Sequence, residues 1–322
     1  MLIVQKFGGS SVADPAGLAR AARLTAEAYR EGKQIVTVVS AQGDTTDLLT
    51  EKAAALTAVP DPRELDALLA TGEQASAALL AMALENLGIP AVSLSGAQLG
   101  IHTDSHHGDA LIRNIDTTRL RQELEAGKAV VAAGFQGTDD RGDLNTLGRG
   151  GSDTTAAALA AALKADHCII YTDVDGVYTA DPRRVPEARL LESVSWQEML
   201  ALASLGSQVL HDRCVALAMK HGVELIVRAS AASSGKGTRV GRAPVRRFTG
   251  VTRSGNTVGL VGGGLADTPD AAARLRAALS QRDIPCGDIL PSRDGLALTV
   301  TVAPEAAEEA LRAVHTAFFT DA

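Results

Sequence analysis

Aromatic residues, basic charge and long apolar runs are all scarce in this chain of 322 residues. Only 3% of the residues are aromatic, which disfavours the stacking platforms that bind single-stranded nucleic acid. The formal net charge of −7 argues against a broad nucleic-acid surface, because such surfaces need an excess of lysine and arginine. No apolar run reaches the ~18 residues of a membrane span. The sequence therefore predicts a globular protein without a nucleic-acid partner or a membrane segment.

Cysteine is also scarce, and the positions of the three cysteines indicate the cellular compartment of the protein. Cys168, Cys214 and Cys286 lie far apart and form no CxxC pair, which is typical of free thiols in a reducing environment. The first residues read directly as a strand, without the basic segment and apolar stretch of a secretory signal. We therefore expect a cytoplasmic protein with buried free thiols.

The sequence does contain short Val/Ile-rich runs that alternate with helical patterns. The strands predicted in the larger part of the chain are Leu2–Phe7, Gln34–Ser40, Ala91–Leu94, Ala129–Ala133, Cys168–Thr172 and Glu224–Arg228. The helices predicted there are Ala16–Glu31, Thr46–Leu56, Arg63–Leu87 (which Thr71–Gly72 could interrupt), Thr117–Ala126, Asp153–Lys164, Trp196–Leu202 and Val209–His221. This alternation is typical of an α/β fold with a mostly parallel sheet covered on both faces.

Composition changes between Ala229 and Arg247, where Ser, Gly and basic residues predict a connecting segment or a sheet edge. Beyond it, the predicted strands are Phe248–Arg253, Thr257–Val261, Ile284–Pro291 and Leu296–Val302, and the predicted helices are Thr268–Arg282 and Glu305–Phe318. That order predicts a small α+β sandwich. We therefore expect a large domain over residues 1–240 and a small one over residues 248–322.

A lysine followed by a glycine pair occupies the first loop, in the string KFGGSSV (Lys6–Val12). Gly8 and Gly9 have no Cβ, so their N–H groups can approach an anion and form a phosphate-binding nest, while the Lys6 ammonium faces a phosphoryl oxygen. The alternative is a tight turn with a solvated lysine. The chain contains no GxxxxGK[ST] string, which disfavours a P-loop nucleotide site.

A second glycine-rich stretch surrounds Arg149, in the string LGRGGSD (Leu147–Asp153) at the start of a predicted helix. A guanidinium between glycines can bind a carboxylate through two parallel hydrogen bonds. Ser152 and the first N–H groups of the helix suit an anion, because the helix dipole is positive there. Alternatively, Ser152 or Asp153 is a simple helix cap and Arg149 is a surface charge.

Two further motifs have plainer alternatives. Glu73 lies in an apolar helical segment, where it is either a surface charge or the partner of an ammonium group. The string TDVDGVYTADPR (Thr172–Arg183) follows an apolar strand. Its polar groups can hold the ribose and base of a nucleotide, or they can form a hairpin with a charged tip.

Neither a metal cluster in the protein nor a thiol nucleophile is predicted. His102, His106 and His107 lie near Asp104, but loop histidines at this spacing without a second ligand cluster are more often solvated or satisfied by core partners. The cysteines have no neighbouring histidine that would act as a base.

In their order along the chain, these strings resemble the aspartokinases of the amino acid kinase family. The strings are KFGGSSV, SAQGDTTD (Ser40–Asp47), LLATGEQAS (Leu68–Ser76), GFQG with LGRGGSDTTA, and YTDVDGVYTADPR. Several of them distinguish aspartokinases from glutamate 5-kinase, acetylglutamate kinase and uridylate kinase. The resemblance covers about residues 1 to 240, and the tail from Phe248 is similar to an ACT domain, the small ligand-binding module of that family.

The resemblance implies an α/β/α sandwich fold and an enzymatic activity. The chain would transfer the γ-phosphate of ATP to the side-chain carboxylate of L-aspartate, giving 4-phospho-L-aspartate, the first step towards lysine, threonine and methionine. A carboxylate is already nucleophilic, so catalysis would be positioning and charge stabilisation, with Mg²⁺ on the ATP.

The resemblance also implies a set of site residues. Lys6, Gly8, Gly9 and Ser10 match the phosphate-transfer site. Ser40, Thr45, Glu73, Arg149, Gly151 and Ser152 match the aspartate site. Thr172, Asp173, Tyr178, Asp181, Arg183 and Gln208 match the ATP site. Arg149 suits the α-carboxylate of aspartate, Glu73 its ammonium and Lys6 the reacting carboxylate. We hypothesise that Asp153 organises Lys6 or the metal.

The sequence departs from the family at two places. The family usually has a lysine in a GAKVLHP string that reaches the ATP phosphates, whereas this chain reads GSQVLHD (Gly206–Asp212), with Gln208 at the lysine position. We therefore expect weaker ATP binding or turnover, unless another cation such as Lys236 substitutes. The tail also has room for one ACT domain where relatives commonly have two. Regulation by lysine or threonine would then need pairing between two chains, so we expect a homodimer.

Two other functions stay open at this point. One is a kinase for another acidic amino acid, such as glutamate. The other is a catalytically weak amino-acid sensor, in which the ACT module binds an effector and the kinase fold serves as a scaffold. Gln208 favours the sensor, whereas Lys6, Glu73 and Arg149 favour the enzyme.

Overall fold

The computed structural model describes residues 1–231, 237–265 and 269–320. The chain divides into two compact units, Met1–Val174 with Lys220–Gly235 and Asp175–Met219 with Lys236–Ala322. These units are defined by packing alone, so the domains expected over residues 1–240 and 248–322 stay a prediction.

Helices and strands alternate along the described ranges much as the apolar periodicity predicts. The helices are α1 (Pro15–Arg30), α2 (Thr45–Leu56), α3 (Pro62–Asn86), α4 (Thr118–Glu125), α5 (Gly151–Leu163), α6 (Trp196–Ser204), α7 (Asp212–His221), α8 (Pro269–Ser280) and α9 (Ala307–Phe319). The strands are β1 (Leu2–Phe7), β2 (Gln34–Val39), β3 (Ala91–Leu94), β4 (Ile101–Thr103), β5 (Ile112–Ile115), β6 (Ala129–Ala133), β7 (Gln136–Thr138), β8 (Leu144–Thr146), β9 (His167–Thr172), β10 (Ser193–Ser195), β11 (Leu225–Ala229), β12 (Thr238–Gly241), β13 (Gly250–Ser254), β14 (Thr257–Val261), β15 (Leu290–Pro291) and β16 (Ala297–Thr301).

The first unit is built on a parallel sheet of order β11–β9–β1–β2–β6–β3. This confirms the α/β fold predicted from the continuous apolar strands. The register places Phe7 beside Val39 and Tyr171, and Val39 beside Ala133. The loops after β1, β2, β6 and β9 therefore begin at one edge of the sheet, the carboxyl edge, where ligands bind in folds of this kind.

The two faces of this sheet have different neighbours. Ile3 and Phe7 of β1 belong to one apolar core with residues of α1 and α3. Successive strand residues point to opposite faces, so Lys6 points to the other face, where α5 packs against β1, β2 and β9.

Helix α3 is unbroken, so the interruption considered near Thr71–Gly72 is absent. A Cβ at Gly72 would lie 2.8 Å from the Cβ of Ala41 and 3.4 Å from Cγ2 of Thr45. The glycine therefore allows the helix to pack closely on the loop after β2, rather than ending the helix.

By length and composition α3 is also the one described helix that is long and apolar enough to cross a membrane. It packs against α1, β3 and β6 and carries two buried acids, Asp66 and Glu73. These contacts and buried acids are typical of a helix in the core of a compact unit.

The first unit contains a second sheet that the sequence did not predict, of order β5–β4–β7–β8. Its strands are three or four residues long, too short to show an apolar alternation. The sheet sets the position of β8, which directly precedes the glycine-rich stretch around Arg149.

The second unit contains an antiparallel sheet of order β13–β14–β16–β15, which shares a core with α8 and α9. The predicted α+β arrangement is confirmed, but the strand predicted over Ile284–Pro291 was wrong. Within it, Leu290–Pro291 pairs as a short strand, and Cys286 forms an isolated antiparallel bridge with Val302. Ile284 and Ile289 instead contribute to the core from a loop, which explains their apolar character.

Two short strands of the second unit, β10 and β12, pair in parallel. β12 lies inside the stretch Ala229–Arg247, so these four residues form a strand where a connecting segment or a sheet edge was predicted. This strand of four residues, Thr-Arg-Val-Gly, is too short and too polar for a strand pattern to be visible among the flanking glycines. The first residue of the predicted helix Thr268–Arg282 lies outside the described residues.

Candidate active site

Lys6 lies at the carboxyl edge of the parallel sheet, one residue before β1 ends. Its Nζ is 2.6 Å from Oδ1 of Asp153 in α5, and the two side chains are only 12% and 14% exposed. An ion pair this well shielded is screened much less by salt than one on the surface. The geometry agrees with the hypothesis that Asp153 organises Lys6, whose role in the reaction stays a prediction.

The glycine pair after β1 allows the backbone to come close to this lysine. A Cβ at Gly8 would lie 3.4 Å from Nζ of Lys6, and one at Gly9 would lie 2.8 Å from the carbonyl oxygen of Ala41. A larger residue at position 9 would have to displace backbone. Ser10 follows and is exposed. The two glycines therefore allow this turn to pack closely on Lys6 and on the loop after β2, and its role in binding phosphate stays a prediction.

Glu73 is buried, with 3% of its surface exposed, so the surface-charge interpretation was wrong. Its Oε1 accepts a hydrogen bond of 2.9 Å from the N–H of Ala41. Its Oε2 is buried and has no hydrogen-bond partner within the described part of the chain. Burial raises the pKa of this carboxyl from 4.5 to about 7, although the bond from Ala41 favours the ionised form. A buried oxygen without a partner is costly, so the site suits an incoming cation.

Ser40 and Thr45 flank the loop that connects β2 to α2. The N–H of Ser40 donates to the carbonyl oxygen of Phe7 over 3.2 Å, so this loop starts beside the glycine turn. Thr45 donates its hydroxyl to the carbonyl oxygen of Gln42 over 2.6 Å. Its methyl group lies close to Gly72, which directly precedes Glu73.

Helix α5 begins at Gly151, and its N-cap is Gly150 in a left-handed backbone conformation, with φ 72°. No described side chain caps this end, so the interpretation of a serine or aspartate cap was wrong. Ser152 is buried and packs so closely on Gly134 that a Cβ there would lie 2.7 Å from its Oγ. The first N–H groups of α5 form the positive end of the helix dipole, and Arg149 is exposed just before them.

These contacts bring the predicted aspartate and phosphate residues of the first unit to one end of the sheet. Asp153, in the first turn of α5, contacts Lys6, and Arg149 precedes that helix by two residues. Ala41 contacts Glu73 through its N–H and packs against the glycine turn through its carbonyl oxygen. The turn after β1 and the loop after β2 therefore connect Lys6 with the buried Glu73, and Arg149 lies in the turn that leads into α5.

The residues predicted for ATP are divided between the two units. In the first unit, Thr172 donates its hydroxyl to Asp173 Oδ1 over 3.0 Å, near the surface. In the second unit, burial raises the pKa of Asp181, but its bonds from Arg183 and the nearby arginine charges outweigh that effect and lower it. Those bonds come from the backbone N–H and Nε of Arg183, each over 3.0 Å.

Two further positions predicted for ATP lie in the second unit. Tyr178 is partly buried and forms an isolated antiparallel bridge with Leu190, and Gln208 is exposed. Their part in nucleotide binding stays a prediction. Lys236, considered as a substitute for the family lysine, lies outside the described residues.

Metal ligands and thiols add little to the site. The described ranges contain no group of three His, Cys, Asp or Glu residues that could hold a metal ion. His107 lies with its Nδ1 3.0 Å from Oδ2 of the buried Asp66, a satisfied histidine as the sequence predicted. Asp66 was not predicted as a site residue, because its only signal in the sequence is an acid seven residues before Glu73. Cys168 and Cys214 are buried, whereas Cys286 is only partly so.

Comparison with known proteins now identifies the family. The sequence profile of the amino acid kinase family matches residues 1–229, and that of the ACT domain matches residues 258–318. The aspartokinase of Mycolicibacterium smegmatis is 47% identical over 290 residues, which cover 88% of this chain and 69% of that protein. The chain belongs to the aspartokinases of the amino acid kinase family. The aspartokinase of Geobacillus stearothermophilus is 54% identical over 229 residues, covering 71% of this chain and 56% of that protein.

Solved aspartokinase structures share the fold. E. coli aspartokinase III in complex with aspartate and ADP, in its R-state, superposes with a TM-score of 0.87 at 21% identity, covering 99% of this chain and 100% of that one. The same enzyme in complex with lysine and aspartate, in its T-state, gives a TM-score of 0.69 at 25% identity, covering 94% and 79%. This aspartokinase spans about two thirds and just over half of the length of the two curated relatives named above.

Proposed function

We propose that this chain transfers the γ-phosphate of ATP to the side-chain carboxylate of L-aspartate, giving 4-phospho-L-aspartate. The observation that carries the proposal is the buried carboxylate of Glu73, one of whose oxygens has no partner among the described residues, beside the loop that packs on the glycine turn after Lys6. A site for a small molecule with both an ammonium and a carboxylate needs opposite charges placed in this way.

The three charged groups of aspartate match three side chains. Arg149 binds the α-carboxylate, because a guanidinium pairs with a carboxylate through two hydrogen bonds. Glu73 binds the ammonium. Lys6, held by Asp153, and the N–H groups of the glycine turn stabilise the reacting carboxylate and the transferring phosphate. The carboxylate of the substrate is the nucleophile, so the protein has no proton to remove, and its task is positioning.

Magnesium accompanies ATP in this proposal. When bound, it would neutralise charge on the phosphates. Magnesium commonly takes one or two carboxylates from the protein and its other ligands from phosphates and water. Asp153, whose Oδ1 lies 2.6 Å from Nζ of Lys6, would supply such a carboxylate.

Regulation and assembly belong to the same proposal. An ACT domain over residues 258–318 supports an amino-acid effector, and lysine and threonine are the candidates, since the E. coli relative forms a complex with lysine. A single module of this kind pairs across two chains, so the active form is a homodimer. The protein works in the cytoplasm, where ATP and aspartate are available.

A hydroxamate assay tests the proposal. Purified protein with aspartate, Mg-ATP and hydroxylamine should yield aspartyl hydroxamate in proportion to the ADP released, and glutamate in place of aspartate should give only background. A higher rate with glutamate would favour the kinase for another acidic amino acid. If neither acid reacts while lysine or threonine binds, the protein is the sensor instead.

A further inference from the structure

Asp66 is a buried acid of α3 that no step of the proposed reaction uses. It is 1% exposed, and all its partners belong to two segments next to the glycine-rich stretch. Its Oδ1 accepts a bond of 2.5 Å from the hydroxyl of Thr146. Its Oδ2 accepts from the N–H of Gly108 over 3.0 Å and lies 3.0 Å from Nδ1 of His107. One carboxylate therefore ties a loop and a strand end to α3.

Both tied segments support the turn that carries Arg149. Thr146 ends β8 and lies three residues before Arg149, and its carbonyl oxygen also accepts from the N–H of Ala110 over 2.9 Å. The loop held by Asp66 lies against Gly148, where a Cβ would be 2.4 Å from Oδ1 of Asp109 and 3.2 Å from the carbonyl oxygen of Gly108. The residue directly before Arg149 therefore rests on the loop that Asp66 anchors.

Asp66 and Glu73 lie on one side of α3, because seven residues are about two turns of a helix. Both are buried. Helix α3 therefore carries Glu73, the ligand proposed for the ammonium of aspartate. It also fixes Arg149, the ligand proposed for the α-carboxylate, through the His107–Asp109 loop and β8. The distance between the two ends of the aspartate site is set by one rigid element.

We propose that Asp66 is a positioning residue for aspartate, which acts by holding the His107–Asp109 loop and Thr146 so that Arg149 meets the α-carboxylate. This inference rests on the proposed aspartate kinase activity. Displacing Arg149 by about 1 Å would cost on the order of 10- to 100-fold in aspartate binding or rate. It would leave ATP binding nearly unchanged, because the nucleotide residues make none of these contacts.

The test compares KM for aspartate with KM for Mg-ATP in Asp66→Asn and in Thr146→Val, a milder change of similar shape. Both should raise KM for aspartate, by about 10-fold or more for Asp66→Asn, with KM for ATP within about twofold. Thr146→Ser keeps the hydroxyl and should therefore show the wild-type KM for aspartate. The matched control is Asp143→Asn. Asp143 pairs with Arg63 of α3 at the other end of β8, 2.7 Å away, and its loss should leave both KM values unchanged.

A double-mutant cycle decides whether Asp66 acts through Arg149. In an Arg149→Ala background, Asp66→Asn should raise KM for aspartate no further. Additive effects would overturn the inference, as would equal rises in both KM values, since either result means a general structural role. Should Asp66→Asn fail to fold, the comparison of Thr146→Val with Thr146→Ser, together with a double-mutant cycle of Thr146→Val and Arg149→Ala, gives the same decision. A wild-type protein that forms no aspartyl hydroxamate would reject the proposed function itself, which separates the two failures.

Discussion

Replacing Glu73 by glutamine should weaken aspartate binding and stabilise the fold in the same variant. Glutamine has nearly the same shape and keeps an acceptor for the N–H of Ala41, but it carries no charge. Removing a charged partner from a buried pair costs about 1.5 to 3 kcal/mol, so KM for aspartate should rise about 10- to 100-fold. The KM for Mg-ATP should change little.

The gain in stability follows from the raised pKa of Glu73. Its folded pKa is about 7 against 4.5 for a solvated glutamate, so folding favours the protonated form. The cost of ionising Glu73 is absent below pH 4.5, develops as the pH rises to 7 and is complete above it. Each pKa unit corresponds to about 1.4 kcal/mol. Ionisation of Glu73 therefore lowers the free energy of unfolding of the wild type by about 3 kcal/mol at pH 8, and Glu73→Gln has no such loss.

Two measurements follow these effects separately. Thermal unfolding at pH 5 and pH 8 should show Glu73→Gln more stable than wild type at pH 8, with a smaller gain at pH 5. In the wild type, KM for aspartate should fall as the pH rises through about 7, because the ammonium binds the ionised carboxylate. Glu85→Gln, an exposed residue of the same helix, should match wild type in both assays. Unchanged aspartate binding in Glu73→Gln would refute the ammonium role, and a stability difference that does not vary with pH would refute the raised pKa.

Three further predictions concern the phosphate side and assembly. Asp153→Asn should lower kcat about 10- to 100-fold, because Lys6 loses the carboxylate 2.6 Å away that fixes its position; normal turnover would reject that role. Gln208→Lys should lower KM for ATP about tenfold by adding a charge-assisted hydrogen bond, and an unchanged KM would mean that position 208 does not face the phosphates. Light scattering at micromolar concentration should give the mass of two chains, whereas a monomer would contradict the expected pairing of ACT modules.

The parallel sheet was predictable because its strands are nearly continuous runs of Val and Ile, which only a sheet buried on both faces requires. Lys6, Arg149 and their glycines stood out because of the glycine-rich strings that resemble aspartokinases, and their roles stay a prediction. The small sheet of β4, β5, β7 and β8 was not, since strands of three or four residues have too few positions to show a period.

Burial of single acids was the other feature that the sequence did not reveal. Glu73 and Asp66 lie among Ala and Leu in α3, and such a helix accommodates an acid equally well on a solvent face. Only the tertiary contacts, with Ala41 for Glu73 and with Thr146 for Asp66, show which face each acid occupies. The close packing of α3 at Gly72 was likewise invisible, because a glycine in a helical pattern more often signals its end.

In the proposed reaction, phosphate moves from ATP to the side-chain carboxylate of aspartate at the site around Lys6. Carbon-13 NMR of aspartate labelled at both carboxyl carbons, followed during turnover with Mg-ATP, shows which carboxylate receives the phosphate. We expect the side-chain carbon to acquire coupling to phosphorus, the α-carboxyl carbon to acquire none, and Lys6→Met to abolish the new signal. Coupling at the α-carboxyl carbon, or ADP release without coupling at either carbon, would contradict it.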